Sequence, residues 1–132
     1  MGATELIKKL RIQAGQRVLV LNAPEGYLDR LGALPEGVTT SQVAGGEFDF
    51  VQLFVKSIVE LEEKGPVAIQ AVKYDGLLWI CYPKQTSGIK TDINRDTGWG
   101  VIQKAGLRPV TQVAIDETWS ALRFRPGERV GA

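Results

Sequence analysis

The sequence predicts a single α/β domain in three layers: a mainly parallel sheet of about six strands, helices on both faces, and a C-terminal antiparallel hairpin. Three observations predict it. The apolar runs Val18–Leu21, Phe50–Val55 and Leu77–Tyr82 are close to continuous rather than alternating, as in strands buried on both faces. Stretches with helical spacing separate the later runs, and parallel strands need such long crossovers. The last two strand-like runs are joined only by the turn Asp116-Glu117, which restricts them to a hairpin. With 132 residues the chain suits one core and is too short for two, so residues 1–132 read as one domain.

Taken in order, Glu5–Leu10 has helical spacing and gives a short helix or a loose arm within residues 1–14. Arg17–Asn22 follows Gly15 as a buried strand. Glu25–Ala33 can form a short helix with Tyr27, Leu28 and Leu31 on one side, ended by the turn Pro35-Glu36-Gly37. Val38–Ala44, rich in Thr and Val, makes a weak second strand closed by Gly45-Gly46.

The next segment admits two readings. Phe50, Phe54, Ile58 and Leu61 repeat at helical spacing and would allow one helix from Glu47 to Glu63. Ser57-Ile58-Val59-Glu60, however, has the form of a capping box and starts a helix at Ile58. The β-branched and aromatic run before it suits a strand. The prediction is therefore strand Phe48–Val55 and helix Ile58–Val72, kinked or split at Gly65-Pro66. Tyr74-Asp75-Gly76 reads as a turn, and Leu77–Tyr82 is the clearest strand. Thr91 or Asp92 caps a helix over Ile93–Ala105, weakened by Gly98 and Gly100 and stopped by Gly106. Strands Arg108–Ile115 and Thr118–Phe124 complete the sheet, and residues 126–132 form a fraying tail.

Composition excludes more than it assigns. Sixteen Lys and Arg against fifteen Asp and Glu give a net charge of +1, too little field to suggest nucleic acid or a membrane surface. No histidine is present, which rules out Ser-His-Asp and Cys-His catalysis and argues against a zinc site. The one cysteine, Cys81, lies in an apolar strand without a cationic neighbour and reads as an inert buried thiol. No apolar stretch approaches the ~20 residues of a membrane span, and no signal segment is evident, so a cytoplasmic protein is expected.

Phe48-Asp49-Phe50-Val51, the capped helix after it, Lys73–Ile80, a further helix and the closing hairpin resemble the second half of class I S-adenosylmethionine-dependent methyltransferases. The likeness covers most of the chain and lies in pattern more than in motif. It implies a Rossmann-like, methyltransferase-like fold whose last strand inserts beside its predecessor, giving the order 2-1-3-4-6-5. Gly76-Leu77-Leu78-Trp79-Ile80, Pro83-Lys84, Ala105-Gly106-Leu107 and Thr118-Trp119-Ser120-Ala121 resemble the uncharacterised bacterial family DUF3052. That resemblance implies a small, degenerate relative of the methyltransferase core.

The departures from methyltransferases bear directly on chemistry. Their glycine-rich loop after the first strand is replaced by Asn22-Ala23-Pro24-Glu25-Gly26, where Pro24 removes an amide and Glu25 repels a phosphate. Where an acidic residue would hold the ribose, the second strand ends in Ala44-Gly45-Gly46, with Glu47 the nearest acid.

Ligands of open α/β sheets bind outside the carboxyl ends of the strands. Those ends carry Asn22, Glu25, Lys56, Ser57, Lys84, Lys90 and Arg95, and the cations among them favour an anionic small molecule. The bland alternative is a set of solvated loop residues. Pro83–Lys90 has the composition of a phosphate loop without the G-x-x-x-x-G-K-[ST] spacing, and serves as a lid or a plain connector. Asp92 and Asp96, at i and i+4, would share a helix face but lack further metal ligands, and Glu60–Lys64 reads as a solvated helix face. Trp79, Trp99 and Trp119 belong to the core, or, with Phe124 on the edge hairpin, to a homodimer interface. The expectation is a non-catalytic binding or interaction module without a cofactor. The alternatives are a minimal methyltransferase that takes S-adenosylmethionine at a modified loop, and a structural homodimer.

Overall fold

The computed structural model describes residues 3–130. Helix α1 (Ala3–Leu10) leads into strand β1 (Arg17–Leu21), followed by α2 (Tyr27–Leu31), β2 (Thr39–Ser41), β3 (Phe48–Phe54), α3 (Ile58–Ala71), β4 (Val72–Pro83), α4 (Gly100–Lys104), β5 (Leu107–Ala114) and β6 (Trp119–Pro126). The sheet has six strands in the order β2-β1-β3-β4-β6-β5, as the methyltransferase pattern implies. β2, β1, β3 and β4 run parallel, and β6 lies antiparallel to both β4 and β5.

Side chains alternate between two cores across the sheet. Leu19, Val51, Leu53, Leu78, Ile80, Leu122 and Phe124 pack under α3 and α4 with Leu61, Trp99 and Ile102. Val18, Val20, Phe50, Phe54, Trp79, Cys81, Trp119 and Ala121 pack on the other face with Ile7, Leu10, Tyr27 and Leu31 of α1 and α2. Phe54 sits edge-on between Tyr27 and Trp119, with centroids 4.8 and 5.1 Å away. Trp119 and Phe124 are therefore core residues. The alternative of a homodimer interface through these two side chains is corrected, because both are buried and β5 rather than β6 forms the sheet edge.

The competition over residues 47–63 resolves as strand then helix. Ser57 Oγ accepts the Glu60 amide at 3.1 Å, so the capping box starts α3 against the helical periodicity upstream. α3 runs on through Pro66 instead of splitting there. Gly65 faces Leu61, Val101 and Ile102 where α3 packs against α4, at distances a Cβ would also tolerate.

Two further expectations fail. Tyr74-Asp75-Gly76 is not a free turn but a bulge inside β4: Phe48 pairs with Val72 and Phe50 with Leu77. Asp75 is left-handed with φ 56°, and a Cβ on Gly76 would lie 2.9 Å from Val72 Cγ2 and 3.0 Å from the Lys73 carbonyl oxygen. Only glycine fits. The helix expected over Ile93–Ala105 shrinks to Gly100–Lys104. Asx and Ser/Thr turns consume its first half: Thr91 Oγ1 accepts from Ile93 N, and Asn94 Oδ1 accepts from Asp96 N. Gly98 has φ 107°, so Asp92 and Asp96 share no helix face.

Two carboxylates stitch the amino ends of the strands. Asp49 accepts the Arg17 amide at 2.7 Å and pairs with Lys73 at 2.6 Å. Asp75 binds the Arg125 guanidinium through two 2.9 Å bonds and Arg129 at 3.3 Å, which anchors the chain just past β6. The Lys73 and Arg125 hydrogen bonds hold these carboxyls below their usual 3.8. A folded-state value below the unfolded one means the contribution is full at neutral pH and fades as the pH falls through about 4 and below. Urea midpoints measured from pH 7 to pH 3 should fall at the acid end, and Asp49→Asn should flatten that fall. An unchanged acid limb in Asp49→Asn would rule this role out.

Candidate functional site

The carboxyl ends of the parallel strands form two distinct neighbourhoods. At β1 and β3, Asn22 takes a left-handed conformation with φ 59°. Its amide donates to the Phe54 carbonyl at 2.7 Å and to Glu60 Oε2 at 3.0 Å. Glu60 Oε1 accepts the Lys56 amide at 2.6 Å, and Asp92 Oδ1 accepts the Ile58 amide at 2.8 Å. The chain's own carboxylates thus occupy amides at the start of α3, where an anionic ligand would otherwise dock. Asn22, Lys56 and Ser57 meet around Glu60, but as a structural knot. The exposed Lys56 side chain forms no ion pair among the described residues.

Beside this knot, the loop after β1 turns through a Tyr27 amide to Pro24 carbonyl bond, with Gly26 at φ 78°. Ala23, Pro24, Glu25, Gly26, Leu28 and Gln42 are among the walls of an open cleft of about 340 Å³. Glu25 faces solvent there, apart from the other predicted residues. Below lies a buried polar chain: the Tyr27 hydroxyl donates to Gln52 Oε1 at 3.0 Å, and Gln52 Nε2 donates to Cys81 Sγ at 3.2 Å. Burial pushes the Cys81 thiol up to about 12 and raises the Tyr27 hydroxyl as well. Neither serves as a nucleophile or base near neutral pH.

The second neighbourhood lies where β4 ends against β6. Lys84 and Arg95 line one polar cleft of about 390 Å³ with Gln85, Asn94, Gln112 and Ser120, over the Tyr82 ring. The cleft exists because the Lys84 amide is clipped to the Thr118 carbonyl at 2.8 Å. Trp99 also donates to the Asn94 and Arg95 carbonyls at 3.0 and 3.1 Å, which fixes the far wall. Asp96 is the one acid in the lining, and among the described residues neither Lys84 nor Arg95 forms an ion pair. Burial raises the Tyr82 hydroxyl, partly offset by the charge of Arg95. Lys90 is exposed and outside this lining.

Of the seven residues predicted, the structure gathers Lys84 and Arg95 in one cleft and Asn22, Lys56 and Ser57 in another place, while Glu25 and Lys90 stand apart. Sequence reading missed Glu60, taken as a solvated helix face, and assigned Asp92 to the wrong helix. The capping box was the signal for Glu60, although its carboxylate reaches back to the Lys56 amide. Gln112 and Ser120 carried no signal, since they enter the cleft only through the β5–β6 register. Among the described residues, no group of three or more Cys, Asp or Glu is placed to hold a metal ion. No helix among them is long and apolar enough to cross a membrane.

The architecture is that of the methyltransferase-like class of α/β proteins. The chain aligns with the N-methyltransferase NodS from Bradyrhizobium japonicum WM9 at a TM-score of 0.61 and 12% identity, covering 94% of this chain and 93% of that one. It aligns with DhpI in complex with SAH at 0.64 and 15% identity, covering 96% and 83%. The ribosomal protein L11 methylase from Lactobacillus delbrueckii subsp. bulgaricus gives 0.59 and 11%, covering 94% and 76%. At such identities the likeness establishes the fold alone. No family model matches the chain. No curated protein sequence matches it.

Proposed function

We propose that this chain is a non-catalytic binding module on a methyltransferase-like scaffold, a degenerate relative of that core as its DUF3052 resemblance implies, and that it holds an anionic small molecule between Lys84 and Arg95. The observation that carries the reading is the polar cleft itself: two cations without an ion pair among the described residues, flanked by amide and hydroxyl groups at the carboxyl end of β4. The lack of histidine, the raised Cys81 thiol and the raised Tyr82 hydroxyl support binding over catalysis.

A second reading, S-adenosylmethionine-dependent methyl transfer through the modified loop, is favoured by the methyltransferase neighbours and the cleft beside Ala23–Gly26. One experiment separates the two. Amide chemical shifts are followed during titration with inorganic phosphate and, separately, with S-adenosylmethionine. On the leading reading, phosphate moves the amides of Lys84, Gln85 and Asn94–Asp96, and Lys84→Gln or Arg95→Gln weakens that binding about tenfold or more. Micromolar binding of S-adenosylmethionine that moves Ala23–Gly26 would establish the second reading instead. A concentration-dependent dimer with neither response would leave the structural homodimer.

A further inference from the structure

Arg123 is the one described residue with a buried side-chain nitrogen, Nε, that has no hydrogen-bond partner. The residue is only 8% exposed, on β6 between Trp79 of β4 and Thr111 of β5. Alternation along β6 puts it on the face of Trp119 and Ala121, the face covered by α1. Trp79, its cross-strand neighbour, donates to the Leu10 carbonyl at 3.0 Å, so the end of α1 lies close by. Arg11, the next residue, is exposed and left-handed with φ 69°.

The Arg123 Nε–H is taken out of water without an acceptor, which favours an acceptor reaching the guanidinium. Among the described residues none reaches it. Asp75 is the one carboxylate that acts on Arg123, and it is already engaged by Arg125 and Arg129. Glu128, the other acid of this region, is bonded to the Tyr74 hydroxyl. Burial and the charges of Arg11 and Arg125 depress the Arg123 pKa, so the group is desolvated and repelled at once. Arg125 and Arg129 thus already hold the carboxylate that acts on Arg123, and Arg11 adds a further positive charge beside it.

We propose that Arg123, with Arg11 at its rim, forms an oxyanion site for a phosphate or carboxylate group of a small molecule, between the end of α1 and β6. Planar guanidinium donors suit either group. The site lies on the α1 face of the sheet at the level of Trp79, whereas the Lys84–Arg95 cleft lies beyond Tyr82 on the other face, and it does not rest on that reading.

The test uses the Lys84→Gln/Arg95→Gln double variant, so that failure at one site is separate from failure at the other. Titration with inorganic phosphate or with citrate, against sodium chloride of equal ionic strength, should move the amides of Arg11, Ile12 and Leu122–Phe124. Adding Arg123→Met should weaken that binding at least tenfold, and adding Arg11→Gln should weaken it severalfold. Dependence on Arg123 with phosphate alone, or with citrate alone, assigns the group. Shifts no larger than those in sodium chloride, or binding unchanged by Arg123→Met, would overturn the proposal. Should Arg123→Met fail to fold, unchanged affinity in the exposed Arg11→Gln variant overturns it equally.

Discussion

Trp79→Ala is expected to lower stability by about 3–5 kcal/mol, the range for truncating a buried aromatic side chain. Trp79 is fully buried at the middle of β4, flanked by β3 and β6, and sits in the core under α1. Its indole also donates to the Leu10 carbonyl at 3.0 Å, and loss of that bond adds about 1 kcal/mol. Since a domain of this size holds about 5–15 kcal/mol in all, the variant should be partly unfolded at room temperature or melt many degrees lower. Urea unfolding monitored by circular dichroism gives the difference. Trp79→Phe keeps most of the volume and should retain more than half of the lost stability. Equal losses in both variants would mean that the indole hydrogen bond, rather than packing, dominates.

Glu60→Ala is the second large effect, at about 1.5–3 kcal/mol of stability. One carboxylate accepts both the Asn22 side-chain amide and the Lys56 backbone amide, and it faces the positive end of α3. Removing it strips two acceptors at once and leaves Asn22, already left-handed, with only the Phe54 carbonyl. Glu60→Gln keeps one acceptor oxygen and should lose about half as much. Thermal melts of the two variants at pH 7 decide the matter, and a Glu60→Ala melt within a degree of the parent would show that solvent replaces both bonds at no cost.

Much of this fold was legible because its strands announce themselves. Phe48–Phe54 and Leu77–Tyr82 are apolar on both faces, and a residue pattern of that kind has few other homes. Ser57 marked the start of α3 against a competing helical period. What escaped was decided by groups distant in sequence. The Tyr74–Gly76 turn became part of a strand because Asp49 and Arg125 hold Lys73 and Asp75 in place. The helix before Gly100 gave way to turns because short polar side chains bonded their own backbone. At the site, Lys84 and Arg95 were legible as cations at strand ends. Their separation from Asn22 follows from the strand order, which puts β3 between β1 and β4, whereas the filling of the α3 amides by Glu60 and Asp92 was not legible. Arg123 gave no warning at all: a cation in a terminal hairpin ordinarily points to solvent, and only the insertion of β6 buries it.

That insertion has a consequence for how the molecule is made. β6 follows the other five strands in the chain, yet it fills an interior place between β4 and β5. Until it leaves the ribosome, the hydrogen-bonding flank of β4 from Leu78 to Pro83 has no neighbour and β5 has nothing to pair with. The nascent chain must therefore carry an open, apolar strand edge from the emergence of β4 until β6 follows it, the condition under which chaperones are recruited and chains associate wrongly. Closure comes late and all at once, when a single strand zips two others together.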